Sequence, residues 1–175
     1  MKALVTGGAG FIGSHLVDEL VRKKYKVIVL DNLSTGSLKN LKFVKNKIKF
    51  IKCDLSQKKN LTNLLHGVDY VFHAAALKQV PTCEFFPMQA TQTNVQGSKN
   101  VIDSAISHGV AKVVSLSTDK AVYPVNALGI TKALMEKVVQ ATSRKLSEGQ
   151  TILTLVRYGI FYFPTAQFSS SYETD

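Results

Sequence analysis

The chain has 175 residues, 45% of them hydrophobic, and a mean hydropathy of +0.06; this suits one domain with its own core and excludes wholesale disorder. Lys and Arg number 22 against 12 Asp and Glu, a net charge of +10, which favours an anionic ligand. No apolar run approaches the roughly 18 residues of a membrane span and no leader cleavage site is visible, so the expectation is a cytoplasmic protein without a membrane partner.

The first apolar run, Ala3–Thr6, reads as a buried strand, and "TGGAGFIG" follows it and opens a helix over Phe11–Lys23. Strand, glycines and helix in that order make a dinucleotide fingerprint. Gly7 permits the tight turn, Gly10 lets the backbone and helix N-terminus, with Phe11 and Ile12, approach a pyrophosphate, and Gly13 lets helix and strand pack closely. A second strand, Val27–Leu30, ends at Asp31 and Asn32. Asp31 stands eighteen residues after Gly13, where its carboxylate would accept from the ribose hydroxyls of NAD and repel the 2′-phosphate of NADP, so NAD is expected over NADP.

Eight lysines fall between Lys39 and Lys59. Apolar residues separate them and no aromatic stacking motif accompanies them, so they read as a solvated face, and nucleic acid is not expected as a partner. The third strand, Ile48–Ile51, leads to Cys53, Asp54 and Leu55. Asp54 is read either as a contact to the adenine amino group or as a helix N-cap, and Leu55 is placed in the same cofactor site. Cys53 and Cys83 are too few and unpatterned for a disulfide framework or a metal site. A helix is expected over Gln57–Leu65. The fourth strand, Tyr70–Phe72, is followed by His73, expected to be a satisfied core histidine, and by Ala74, Ala75 and Ala76, small enough to leave room for the cofactor backbone.

"LKQVPTCEFFP" comes next, then a helix over Pro87–His108 and a fifth strand, Val113–Leu116. "STDKAVYPVNALGITK" follows, leading into a helix over Ala127–Leu146. Asp119 and Lys120 are either a surface ion pair at a strand-to-helix loop or a pair able to remove one proton and deliver another. Leu128 and Lys132 lie one turn apart on the same helical face. Tyr123, before Pro124, is expected to pack. A sixth strand, Ile152–Val156, precedes "YGIFYFPTAQFSSSYETD", which has no periodicity of either kind. Strands and helices alternating in this rhythm imply an α/β fold, a doubly wound parallel sheet of the NAD-binding Rossmann type, over residues 1–159, with residues 160–175 an irregular tail.

Together, "TGGAGFIG", Asp31, "HAAALKQVPTCEFFP" and "STDKAVYPVNALGITKALMEK" resemble the extended short-chain dehydrogenase/reductase family of NAD-dependent epimerases and dehydratases. The last two stretches are most similar to the C5-inverting UDP-N-acetylglucosamine 4,6-dehydratases, lyases of capsule and O-antigen polysaccharide biosynthesis. The opening, "TGGAGFIGSHLVDELV", is more similar to the UDP-glucose 4-epimerases, which are isomerases. The resemblance runs from about Lys2 to Gly159 and implies a UDP-sugar substrate, oxidation at sugar C4 by NAD, and, for a dehydratase, loss of water across C5 and C6. It implies that Asp119 and Lys120 carry out the elimination, that Thr118 bonds the reacting hydroxyl, that Lys132 binds the nicotinamide ribose and supplies positive potential, and that Lys78 and Val80 line the sugar pocket above Cys83 and the Phe85–Phe86 pair.

Most relatives carry a tyrosine base where this chain has Leu128. That departure counts against an epimerase and leaves Lys120, Lys132 or a water to take the C4 hydroxyl proton. Relatives also continue into a substrate domain and form homo-oligomers. That domain is not recognisable here, so a non-catalytic NAD-binding remnant stands as a third reading.

Overall fold

The computed structural model describes residues 1–61 and 63–159. Six strands form one parallel sheet: β1 (Lys2–Thr6), β2 (Lys26–Asp31), β3 (Ile48–Lys52), β4 (Tyr70–His73), β5 (Lys112–Thr118) and β6 (Ile152–Tyr158), in the order β3-β2-β1-β4-β5-β6. The sheet is parallel and doubly wound, as the sequence implies. The chain reverses direction across the sheet between β1 and β4, and the loops leaving those strands open a crevice at their carboxyl ends.

The central strands β1 and β2 read as nearly continuous apolar runs because both their faces are covered. On one face Ala3, Val5, Val27 and Val29 pack under Val17 and Leu20 of α1 (Phe11–Arg22). On the other, Leu4, Ile28 and Val71 meet Val101 and Ala105 of α4 (Ser98–Ser107). The last long helix, α5 (Ala127–Ser143), sets Met135 and Val139 against Ile102 of α4 and against Leu153 and Leu155 of β6.

Three local features depart from the sequence expectation. The helix expected over Gln57–Leu65 is a single 3₁₀ turn, Lys58–Leu61, in which Leu61 is buried against the sheet; Thr62 lies outside the described residues. A short helix, α2 (Val80–Phe85), precedes α3 (Pro87–Thr91), each opened by a proline whose missing N–H costs nothing in a first turn. The helix expected over Pro87–His108 is present as one rod, but a π-helical turn at Gln92–Gly97 interrupts it. The tail assigned to residues 160–175 lies outside the described residues.

The start of α5 is held from two sides. Asn126 Oδ1 accepts from the Gly129 N–H at 2.8 Å, and Glu84 Oε1, at the end of α2, accepts from the Ala127 N–H at 2.6 Å. Two of the four first-turn donors that a helix cannot satisfy internally are met this way. Asn126→Ala is therefore expected to destabilise the fold by about 1 kcal/mol, read as a lower urea midpoint at unchanged m-value.

Candidate active site

The turn after β1 is built by backbone geometry. Gly7 has φ +66°, and its N–H donates to the Leu30 carbonyl at 2.7 Å. A Cβ added there would stand 2.6 Å from both N and Cα of Ala75, so the loops after β1 and β4 touch through their backbones. A Cβ on Gly13 would run into the Gly7 carbonyl oxygen and lie 2.7 Å from Gly8 Cα, so the first turn of α1 seats directly on the loop. What results is a cradle that side chains would fill.

Asp31 closes it from β2. The buried carboxylate accepts from the Ala9 N–H at 3.0 Å through Oδ2 and from the Leu33 N–H at 2.8 Å through Oδ1. Ala9 is further tied by its carbonyl, which accepts from Asn40 Nδ2 at 2.8 Å and from the Ser37 N–H at 3.0 Å. Asn32 folds back on its own turn, accepting from the N–H and hydroxyl of Ser34. Asp54 Oδ1 likewise accepts from the Ser56 N–H at 2.9 Å, starting a turn.

A cleft of about 270 Å³ lies over these loops, bordered by Gly7, Gly10, Asp31, Asn32, Asp54, Leu55 and Ala74 to Lys78. A second pocket of about 190 Å³ adjoins it, sharing Ala74, Ala76 and Lys78 and adding Ile12, Ser117, Thr118, Lys120, Leu128, Lys132 and Tyr158. Nearly every residue singled out in the sequence is thus brought to one crevice. Val80 is not: it packs with Cys83, Ala90 and Leu128 in a small cluster behind the second pocket, because it begins α2 and faces α5. Phe11 is also turned outward, its ring edge-on to His15.

Around the second pocket, Thr118 Oγ1 donates to Asp119 Oδ1 at 2.8 Å, and the same oxygen accepts from the Lys120 N–H at 2.8 Å. Lys120 Nζ stands 3.6 Å from it. Both side chains are substantially exposed, so the pair contributes little to stability; Asp119 sits beside the pocket while Thr118 and Lys120 line it.

Lys132 is 5% exposed and its Nζ donates to the Leu116 carbonyl at 2.8 Å. Burial, assisted by the nearby Lys78 charge, lowers its pKa to about 8, against the opposing pull of Glu136 and Cys83. Glu136 is engaged in a bidentate pair with Arg157 of β6 at 2.8 and 2.6 Å, which lowers the Glu136 pKa. Burial also lowers Lys78 and raises the Cys83 thiol.

His73 is a satisfied core histidine. Ser98 Oγ donates to the Asn94 carbonyl at 2.6 Å, so it must accept from His73 Nε2–H at 2.7 Å, which leaves Nδ1 to accept from the Thr6 hydroxyl at 2.7 Å. That relay fixes a neutral ring, and complete burial holds its pKa down at about 3.

Two expectations about packing fail. Phe85 and Phe86 are not beneath the pocket: they are 80% and 57% exposed, with Phe86 on the rim of the larger cleft. Tyr123 is 82% exposed. Each lies where a loop or helix end turns outward, a direction that composition does not encode.

Sequence reasoning also missed Asn94, which links three elements of the site. Its Oδ1 accepts from the Leu77 N–H, and its Nδ2 donates to the Leu77 carbonyl and to Thr131 Oγ1 of α5. The available signal was a polar pair, Asn94 and Ser98, at helical spacing within a stripe of Ala90, Val101, Ile102 and Ala105 that is otherwise apolar.

Residues 3–161 match the family described as polysaccharide biosynthesis protein. The chain belongs to that family. Among the curated relatives of this family member is the UDP-glucose 4-epimerase of Rickettsia felis, 46% identical over 162 residues, which are 89% of this chain and 48% of the relative. The chain spans about half the length of the curated relatives it matches. Among solved structures, the UDP-glucose 4-epimerase of Thermotoga maritima, with UDP-glucose, superposes with a TM-score of 0.83 at 33% identity, covering 90% of this chain and 55% of that one. The dTDP-glucose 4,6-dehydratase of Streptomyces venezuelae, with NAD bound, gives the same values. The family member therefore has the NAD-binding fold that the sequence implied, shared by epimerases and dehydratases of sugar nucleotides.

Proposed function

We propose that the chain binds NAD and supports oxidation at C4 of the hexose of a UDP-sugar, the step common to 4-epimerases and 4,6-dehydratases. The observation that carries this is that the two pockets adjoin: the glycine cradle and Asp31 border one, Thr118, Lys120 and Lys132 the other, and Ala74, Ala76 and Lys78 line both. The residues fit a dinucleotide, since the cradle admits no Cβ at Gly7 or Gly13 and presents the N-terminus of α1 to a pyrophosphate. When bound, NAD supplies the hydride acceptor. Lys132, anchored by Leu116, would hold the nicotinamide ribose, and Lys78 would face the sugar.

The 4-epimerase reading stands first, supported by curated relatives of that name at 45–46% identity. A UDP-N-acetylglucosamine 4,6-dehydratase is the second reading, favoured by Asp119 and Lys120 beside the pocket, a carboxylate and an ammonium 3.6 Å apart that can remove one proton and deliver another. Incubating the protein with NAD and either UDP-glucose or UDP-N-acetylglucosamine, then weighing the products, separates them: an epimer of unchanged mass supports the first, loss of one water the second, and NAD binding without any product leaves a cofactor-binding remnant. A homo-oligomer and a place in the cytoplasm belong to this proposal as well; no helix among the described residues is long and apolar enough to cross a membrane.

Cofactor choice rests on Asp31. Asp31→Ala removes a carboxylate placed for the ribose hydroxyls and strands the Ala9 and Leu33 N–H groups. The expected result, read by calorimetry with each cofactor, is a loss of NAD affinity of about 10- to 100-fold and a smaller loss for NADP, as removal of one charge-assisted hydrogen bond implies.

A further inference from the structure

The second pocket needs a group that can exchange a proton, and its walls offer few. Ile12, Ala74, Ala76, Leu116 and Leu128 are apolar, Ser117 offers only a buried aliphatic hydroxyl, and Tyr158 of β6, the one phenol in the lining, is 44% exposed and so not enclosed with the substrate. Thr118 donates to Asp119, whose Oδ1 also holds the Lys120 N–H, and these side chains sit at the solvent-facing rim. Lys132 is enclosed instead. Among the described residues, its Nζ has one hydrogen-bond partner, the Leu116 carbonyl, so its remaining directions are available to the pocket it lines.

Resting on the C4-oxidation reading, we propose that Lys132 is itself the proton acceptor of this site, and that Lys78 is a positioning residue that keeps Lys132 ready by placing a second positive charge beside it. In the step, the substrate O–H bond breaks and its proton adds to the neutral Nζ. The hydrogen on the same carbon leaves with its electron pair as hydride to the nicotinamide, so the carbinol carbon is oxidised to a ketone and NAD is reduced.

The surroundings of Lys132 are consistent from every side. Lys78, after β4, and Lys120, after β5, bring positive charge to the same pocket. His73 on β4 is neutral, and the thiol of Cys83 on α2 is raised by burial. Glu136, one turn further along α5, would favour the ammonium, but Arg157 of β6 occupies its carboxylate at 2.8 and 2.6 Å. With a pKa of about 8 against an ordinary 10.5, Lys132 carries a lone pair in an appreciable fraction of molecules near neutrality. Leu128, 5% exposed and packed on Cys83 and Ala90, keeps water from competing at that wall.

The test uses the whole chain loaded with NAD and mixed with UDP-glucose or UDP-N-acetylglucosamine, following the absorbance of reduced nicotinamide in a single turnover between about pH 6 and 10. The rate should rise with pH through a midpoint near 8. Lys132→Arg, which keeps the charge and cannot release a proton in this range, should lower it about 100-fold or more. Lys78→Gln should move the midpoint upward. In parallel, lysine-selective ¹³C labelling, with Lys132→Arg to assign the signal, should show Lys132 titrating near 8 and shifting with Lys78→Gln. Reduction that survives Lys132→Arg, or a Lys132 signal that titrates with the surface lysines while NAD is bound, overturns the inference alone. Failure to bind NAD, or binding without reduction by either sugar nucleotide, overturns the functional reading and the inference with it.

Discussion

Gly7→Ala should abolish measurable NAD binding and lower the unfolding free energy by about 3 kcal/mol. An L-residue held in the left-handed region costs about 1–2 kcal/mol by itself. Here the new methyl also stands 2.6 Å from N and Cα of Ala75, and backbone atoms cannot rotate away as a side chain can. The β4 loop must therefore retreat, and with it the floor shared by both pockets. Gly67 separates the two causes: it has the same φ of +66° but nothing within 4 Å of its would-be Cβ. Gly67→Ala should cost only the conformational part, about 1 kcal/mol, and leave NAD affinity unchanged. Thermal melts should show Gly7→Ala displaced by roughly 6–12 °C, at about 2–4 °C per kcal/mol for a domain of this size. Equal effects of the two substitutions would remove the close approach of the loops as the reason for the glycine.

The second large effect is the acid sensitivity imposed by His73. Its folded pKa of about 3 lies below the ordinary 6.5, so between those values the unfolded chain binds a proton that the folded one refuses. Stability from this group is complete above about pH 6.5 and falls as pH drops toward 3. At about 1.4 kcal/mol per pH unit the loss accumulates to on the order of 4 kcal/mol, a large part of a domain's usual stability. Glu19 and Glu136, whose pKa values are lowered by Arg22 and Arg157, respectively, lose their contribution only below the usual carboxylate range, so the slope between about pH 6.5 and 5 belongs chiefly to His73. Urea unfolding at stepped pH should show it. Imidazole ¹⁵N spectra should find His73 neutral throughout that window, with the proton on Nε2. A ring that gains its second proton above pH 5 would refute the buried relay through Thr6, Ser98 and Asn94.

The parallel sheet was legible because its central strands, β1 and β2, are buried on both faces and are written almost wholly in Val, Ile, Leu and Ala, a signal independent of the rest of the chain; the strand order was not, since it is set by how the crossovers pack. The glycine cradle and Asp31 were legible for a related reason: their chemistry is local, set by a turn that only glycine fits and by a strand end. The 3₁₀ turn at Lys58–Leu61 and the short α2 were not, since elements of one or two turns take their form from what they pack against. Asn94 could be noticed as a polar residue on an apolar stripe, but its partners, Leu77 and Thr131, come from other elements and are not readable from spacing. Lys132 could be placed on the same helical face as Leu128, but its enclosure depends on β5 and α2 closing over it, and with that enclosure comes the altered basicity on which its proposed role depends. Phe85, Phe86 and Tyr123 are exposed where packing was expected, because composition does not give the direction in which a helix end or loop turns.

The two margins of the sheet are unequal in a way that bears on handling the protein. β3 ends one side with two lysines, Lys49 and Lys52, in its five residues, one on each face, and a second molecule approaching that margin would have to bring like charges together. β6 ends the other side with Ile152 to Val156 uninterrupted by charge, and its Arg157 is already committed to Glu136. Among the described residues no strand flanks β6 on its outer side, so its outward amides and carbonyls form a template for another extended chain. Concentrated solutions should therefore self-associate through β6 and not through β3, and a lysine placed at Thr154 would be the economical way to keep them dispersed.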